Sequence, residues 1–112
     1  MIHAAHVILY SADAPADRAF LRDVLDLRHV DVGAGWLIFA LPEAEAAVHP
    51  ADGEARQELY LMCDDVEVEV RRLEGLGVRC DPVTQASWGR VTRMQLPGGG
   101  KLGLYQPRHA RP

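Results

Sequence analysis

Apolar and polar positions repeat along the chain in a way that predicts two copies of one structural unit. The residues from His6 to Asp13 run from a polar position through apolar ones to an acid, and those from Glu58 to Asp65 repeat this layout 52 positions later. Each apolar run predicts a strand, and each final Asp is placed to cap a helix. As equivalent first positions of two strands, His6 and Glu58 are expected to face each other across the space that the copies enclose.

The remaining pattern predicts the same order of elements in each half of the chain: one strand, one helix and three strands. Apolar residues at helical spacing predict helices from about Pro15 to Leu25 and from about Val66 to Leu76. Shorter apolar or alternating runs predict the strands, at residues 6–10, 27–32, 36–41 and 45–49 in the first half and 58–63, 78–80, 89–96 and 101–105 in the second. The stretch 84–88 is predicted to be a loop.

This order predicts a single domain over residues 1–112, with a first βαβββ module at about 3–50 and a second at about 57–107. Two such half-sheets packed side by side predict an α+β fold of paired βαβββ modules with curved mixed sheets. The polar, small-residue stretch 50–56 joins the two halves. A chain of 112 residues is long enough for one buried core without disulfide staples.

Composition and charge exclude several classes of protein. The 48% hydrophobic and 25% charged residues are typical of a globular domain, and the net charge of -4 argues against a nucleic-acid partner. No apolar run approaches the ~20 residues that span a bilayer, and residues 1–5 lack the features of a signal peptide, so we expect a cytoplasmic protein without a membrane partner. Cys63 and Cys80 form no metal-type pair and are expected to be buried, reduced thiols.

Four segments in this order resemble the vicinal oxygen chelate superfamily, which includes glyoxalase I, extradiol dioxygenases and bleomycin-resistance proteins. The segments are His6–Tyr10, Phe20–Leu27, Glu58–Val66 and Leu96–Tyr105, which together extend over nearly the whole chain. They are fairly specific for the glyoxalase/bleomycin-resistance-like fold and are not specific for a reaction. The resemblance also implies a homodimer, because one copy of this fold leaves a sheet edge and an apolar face uncovered.

Metal-using members of that superfamily take one ligand from the first strand of each half and often another from the last. Carried over by position, the first-strand places are His6 and Glu58, and the last-strand places are Ala46 and Gly103, which have no side chain that coordinates a metal. Two ligands are fewer than the three that a catalytic divalent ion such as Fe, Mn, Ni or Zn usually takes from protein. A one-residue slip in strand register would turn His49 inward and complete the set.

The sequence leaves three functions open. The first is a small-molecule-binding protein that holds an apolar or aromatic ligand in the concave sheet cavity without chemistry, behind a wall of Trp36, Tyr60, Trp88 and Tyr105. These aromatic residues are also compatible with core or dimer contacts. The second is a metal-dependent lyase, isomerase or extradiol-type dioxygenase with a divalent metal at His6 and Glu58, or with Glu58 as the catalytic base. The third is a structural or regulatory partner whose pocket is closed by Trp36 and Phe39.

Overall fold

Two ten-residue helices form where an Asp cap precedes a helical apolar pattern, as predicted. The structure is a computed structural model that describes residues 4, 6–45, 47–50, 52–54 and 56–112. Helix α1 spans Ala14–Asp23, and the side chain of its N-cap, Asp13, accepts a hydrogen bond from the backbone N–H of Ala16 at 3.1 Å. Helix α2 spans Val66–Gly75, and its N-cap is Asp65, whose side chain accepts from the N–H of Val68 at 3.2 Å. These local bonds satisfy backbone donors that have no partner within the helix.

Within the described residues, the strands form two separate sheets, and the sheet of the second half has four strands, the number predicted for one module. A two-stranded antiparallel sheet in the first half consists of β1 (His29–Asp31) and β2 (Leu37–Phe39). A four-stranded mixed sheet in the second half has the order β3-β6-β5-β4, with β3 parallel to β6 and the other pairs antiparallel. Its strands are β3 (Tyr60–Met62), β4 (Thr84–Ala86), β5 (Gly89–Gln95) and β6 (Lys101–Pro107). Helices packed against mixed sheets confirm the predicted α+β fold class.

Three strand predictions differ from the structure. Residues 6–10 form no strand, and neither do the described residues of 45–49, which exclude Ala46. Tyr10 is 93% exposed, and within the described residues of one chain this apolar run pairs with no strand. The prediction for 78–80 is reduced to one isolated bridge between Cys80 and Met94. Conversely, the predicted loop 84–88 contains β4, because a tight turn at Ser87 and Trp88 folds it back onto β5.

The hydrophobic core lies between the helices and one face of the four-stranded sheet. Alternate residues of β5 and β6 supply its sheet side, and α2 supplies Val66 and Leu73, which are at most 1% exposed. Among the described residues of the first half, only Phe20 of α1 belongs to the buried cluster, at 6% exposure. Most large apolar residues of the second half are therefore at least partly covered, whereas ten of those described in the first half are exposed.

A buried carboxylate ties the two halves together. Asp17 of α1 is 8% exposed, and its Oδ1 accepts a hydrogen bond from the backbone N–H of Gly98 at 2.7 Å, in the turn between β5 and β6. The guanidinium of Arg72 on α2 also donates to the carbonyl of Val24 at 3.3 Å, just after α1. These contacts hold α1 against the same core as α2.

Two further sequence predictions concern the thiols and the membrane. Cys63 and Cys80 are free and only half-buried, whereas the sequence predicted buried thiols. Burial, aided by nearby acidic residues, raises the pKa of Cys63 to about 11. In the described part of the chain, every helix is too short or too polar to cross a bilayer.

Candidate functional site

The face of the four-stranded sheet that points away from the helices collects most of the predicted site residues. Strand register places Gly103 of β6 between Tyr60 on β3 and Arg93 on β5. Tyr105, two residues further along β6, pairs with Val91 on β5. Registered partners point to the same side of a sheet, and side chains alternate along each strand, so these residues share one face. We call it the open face of the sheet.

Three of the four predicted ligand-binding aromatics meet on the open face. The ring centroids of Trp88 and Tyr105 are 5.0 Å apart, those of Tyr60 and Trp88 5.8 Å, and those of Tyr60 and Tyr105 6.0 Å. Each pair is edge-to-face, at interplanar angles of 78° to 86°, which the ring quadrupoles favour. These three residues form a single aromatic cluster, in which Tyr105 is buried.

Two glycines make room for this aromatic cluster. A Cβ at Gly103 would overlap ring carbons of Tyr60, and a Cβ at Gly89 would overlap the carbonyl oxygen of Gln106 and approach Cδ2 of Tyr105 at 3.1 Å. The Tyr60 ring therefore lies across the central strand, directly on the backbone of Gly103. Position 103, the last-strand place at which the sequence resemblance implies a ligand in metal-using members, is covered by an aromatic ring.

A polar group adjoins the aromatic cluster at Glu58. Its Oε2 accepts a hydrogen bond from the Tyr60 hydroxyl at 3.0 Å, and its Oε1 accepts from Nε of Arg56 at 3.3 Å. Nη2 of Arg93 donates to the Tyr60 oxygen at 3.1 Å and lies 3.5 Å from Oε2 of Glu58. The Tyr60 hydrogen bond, together with the two guanidinium groups, lowers the pKa of Glu58. The same Tyr60 contact raises the pKa of Arg93, so both groups stay charged near neutral pH.

A cavity of about 170 Å³ opens beside this polar group. Its lining includes Leu9, Glu58, Tyr60, Arg93, Lys101 and Gly103. A larger groove of about 480 Å³ lies at the C-terminal end of α2, where Arg79, Cys80 and Gln95 contribute to its lining. That groove contains no aromatic side chain, and the Lys101–Asp81 ion pair at 3.0 Å lies in its wall. The smaller cavity adjoins the predicted site and is the better candidate for ligand binding.

Trp36 lies apart from the other predicted aromatics. Its side chain is 61% exposed, and the guanidinium carbon of Arg18 is 4.5 Å from its ring centroid. Phe39 lies against the ring of His29, at a centroid distance of 5.6 Å. Trp36 and Phe39 thus do not close the cavity beside Glu58, whose lining contains neither of them.

The predicted metal ligands are not gathered by the chain itself. His6 and His49 are exposed, and Glu58 is engaged by Arg56, Tyr60 and Arg93. Within the described residues, no three His, Cys, Asp or Glu side chains form a group that would hold a metal ion. Ala46 lies outside the described residues. The described residues of one chain therefore do not fit a divalent metal at His6, His49 and Glu58, and that site stays a prediction.

The C-terminal tail adds contacts that the sequence pattern did not predict. The imidazole of His109 stacks on the ring of Tyr105 at 5.9 Å and 29°, and its Nε2 lies 3.1 Å from the Tyr105 hydroxyl. Nε of Arg111 donates to Glu45 at 2.6 Å, and the backbone N–H of Arg108 donates to the Trp88 carbonyl at 2.9 Å. Isolated basic residues such as those of the tail form no periodic pattern, so the sequence could not predict these contacts. The position of Arg93 on the open face, by contrast, could have been predicted from the alternation of residues along 89–95.

Comparison with known proteins identifies the fold through solved structures. No protein-family model and no curated protein matches the sequence. An antibiotic binding protein from Streptomyces sp. CB03234 is 25% identical, with a TM-score of 0.66 over 96% of this chain and 99% of its own. Lactoylglutathione lyase from Agrobacterium tumefaciens is 19% identical, with a TM-score of 0.67 over 93% and 92% of the two chains.

A third solved structure extends the same likeness to a further protein. A glyoxylase/bleomycin resistance protein/dioxygenase domain from Frankia sp. EAN1pec is 15% identical, with a TM-score of 0.67 over 96% of this chain and 99% of its own. In all three comparisons the likeness extends over nearly the whole length of both proteins, so it concerns the complete fold.

Proposed function

The chain has the fold of the vicinal oxygen chelate superfamily, and we propose that it is a small-molecule-binding protein that holds an apolar or aromatic ligand without changing it chemically. The observation that carries this proposal is the aromatic cluster of Tyr60, Trp88 and Tyr105 on the open face, next to a cavity with a few charged side chains. Binding sites for small molecules combine such apolar walls with a small number of placed polar groups. The similar antibiotic binding protein from Streptomyces supports the same class of function.

Two features of the site favour binding over catalysis. A general base needs a pKa near the working pH, whereas the Tyr60 hydrogen bond and its cationic neighbours lower the pKa of Glu58, which makes the carboxylate a weak base. The Tyr60 ring also lies where a ligand residue at position 103 would project. The metal-dependent alternative, with a divalent ion at His6 and Glu58, therefore requires further ligands, from His49 or a second chain.

The decisive experiment uses the two tryptophans of the chain, Trp88 in the aromatic cluster and Trp36 outside it. Neutral planar compounds of one to three fused rings are screened by thermal shift, because a ligand that binds the folded state raises the melting temperature. Hits are titrated by calorimetry against Trp88→Ala and the matched control Trp36→Ala. We expect Trp88→Ala to weaken binding about tenfold or more and Trp36→Ala to leave it within about twofold.

The outcome of this comparison decides the proposal. A screen without any hit, or equal losses in the two tryptophan variants, would contradict a binding site at the aromatic cluster. Circular dichroism of both variants establishes that each keeps its fold before affinities are compared.

We also propose a homodimer, because the first half leaves much apolar surface uncovered. Among the described residues, ten of the twelve exposed large hydrophobic side chains lie between positions 7 and 48. Strand register puts four of them on one face of the β1–β2 sheet, where 38% to 61% of each residue is exposed: Val30, Val32, Trp36 and Ile38. A two-stranded sheet is only marginally stable alone, and contiguous apolar patches of this kind mark protein contacts.

Light scattering coupled to size exclusion tests the dimer. We expect twice the chain mass for the wild type and a shift toward the monomer for Ile38→Lys, which places a charge in the apolar stripe. Val68→Lys, at a somewhat more exposed position on α2, is the matched control and should leave the mass unchanged. A monomeric wild type would overturn the dimer proposal.

The cytoplasmic location and the module bounds of about 3–50 and 57–107 stay predictions from the sequence.

A further inference from the structure

Arg93 is the charged side chain best placed to choose among ligands at the open face. It faces Tyr60 across Gly103, and because position 103 has no side chain, the two reach each other over the central strand. Its guanidinium carbon is 6.0 Å from the Tyr60 ring centroid. Tyr60 thus belongs to both parts of the site, with its ring in the aromatic cluster and its hydroxyl bonded to Arg93.

The guanidinium of Arg93 is held at one nitrogen and available at the others. Both of its hydrogen bonds to described residues use Nη2, with Tyr60 and Glu58 as acceptors, and its side chain is 45% exposed. Toward the described residues, Nε and Nη1 make no hydrogen bond. A guanidinium fixed at one end loses less conformational entropy on binding, and its remaining N–H groups match the geometry of a carboxylate.

The charges around the cavity leave one positive charge uncompensated among the described residues. Glu58 is shared by two cations, Arg56 and Arg93, so this group carries a net charge of about +1. The other cation of the lining, Lys101, is neutralised by Asp81, whose two carboxylate oxygens lie 3.0 and 3.2 Å from its ammonium. The local charge is therefore opposite in sign to the net charge of -4 of the whole chain.

We infer that the ligand carries one negatively charged oxygen group beside its ring, a carboxylate or another singly charged oxyanion, and that Arg93 binds it. The ring lies against the aromatic cluster while the anion takes the donors of Arg93 that Tyr60 and Glu58 leave unused. This inference rests on the proposed function and adds a class of ligand to it. Arg93 is in this sense a specificity-determining residue.

Three ring-matched probes test the inference: 2-naphthoate, its neutral analogue 2-naphthamide, and the cation 2-naphthylmethylammonium. On the wild-type protein we expect 2-naphthoate to bind about tenfold more tightly than 2-naphthamide and the cation to bind most weakly. A difference of about tenfold is what one charge-assisted, hydrogen-bonded ion pair contributes at a half-exposed site. The preference should shrink when KCl rises from about 0.05 M to about 0.5 M, because salt screens an exposed charge pair.

Variants then assign the preference to Arg93. We expect Arg93→Gln to bring the affinities for 2-naphthoate and 2-naphthamide within about twofold of each other. Arg71→Gln, which removes the same charge from an exposed position on α2, should keep the full preference. The comparison of the three probes on wild-type protein needs no variant to fold.

The possible results separate this inference from the proposed function. Equal binding of the three probes, a preference for the cation, or a preference that survives Arg93→Gln overturns the inference and leaves the binding function standing. Binding of none of the probes, with no hit in the wider screen, overturns both. A preference for 2-naphthoate that disappears only in Arg93→Gln supports both.

Discussion

The ring of Tyr60 lies on the backbone of Gly103, in the space that any side chain at position 103 would occupy. The two residues are register partners on adjacent parallel strands, so the contact is a direct consequence of how β3 pairs with β6. It brings the Tyr60 hydroxyl within reach of Glu58 and Arg93. Much of the site follows from this contact.

Replacing Gly103 by Ala should displace Tyr60 and destabilise the fold. The added methyl group overlaps the ring, and overpacking of this kind costs about 1–3 kcal/mol. Urea unfolding measures the loss, and affinity for the probe compounds should fall with it because the aromatic wall moves. Gly75→Ala is the control, since nothing lies within 4 Å of a Cβ there and alanine favours the helix. Equal stability of the Gly103→Ala protein and the wild type would show that Tyr60 does not pack on position 103.

Removing the carboxylate of Asp17 should weaken the contact between the two halves of the chain and destabilise the fold. Asp17→Ala leaves the N–H of Gly98 without its 2.7 Å acceptor in a partly buried place, at a cost of about 1–3 kcal/mol. Asp17→Asn keeps an acceptor oxygen and should lose less. Thermal unfolding of these variants is compared with that of Asp23→Ala, whose side chain is 60% exposed and whose loss should stay within about 0.5 kcal/mol. Similar losses of stability in Asp17→Ala and Asp23→Ala would argue against a stabilising role of the hydrogen bond between Asp17 and Gly98.

The stability of the protein should depend on the ionisation of Glu58 in acid. Its pKa is lowered in the folded state, chiefly by the Tyr60 hydrogen bond, so the unfolded chain binds the proton more tightly. The stabilisation is therefore present above the unfolded pKa of about 4.5 and is lost as the pH falls through the lower folded value. Melting temperatures of the wild type and Glu58→Gln should differ at pH 7 and converge toward pH 3. If the difference in melting temperature between the two proteins does not change with pH, the ionisation of Glu58 makes no such contribution to stability.

Chelation should leave the melting temperature of the protein unchanged. A metal that binds only the folded state stabilises it by mass action, so its removal by EDTA would lower the melting temperature. The described residues of one chain offer no three-ligand group, and we expect less than stoichiometric metal by elemental analysis. Near-stoichiometric Fe, Mn, Ni or Zn that falls in His6→Ala would contradict this prediction and favour the metal-dependent enzyme.

The helices were predictable because their signals are local. Asp13 and Asp65 cap helices whose apolar residues recur at helical spacing within a dozen positions, and both helices begin where those caps indicate. The strand predicted at residues 6–10 lacks such support, because a strand forms only when it pairs with another strand. The apolar pattern of residues 6–10 does not identify that partner strand. In the described structure that run is not paired, and Tyr10 stays exposed.

The sequence by itself determined where the helices begin, the α+β class and a set of aromatic residues that includes the three of the candidate site, because composition, capping and periodicity act within short stretches of chain. Only the tertiary structure decided that Tyr60, Trp88 and Tyr105 meet while Trp36 does not, and that Arg93 joins Glu58 and Tyr60 across Gly103. Those contacts depend on the register of strands separated by tens of residues, and a single-residue shift in that register would turn each side chain to the opposite face of the sheet.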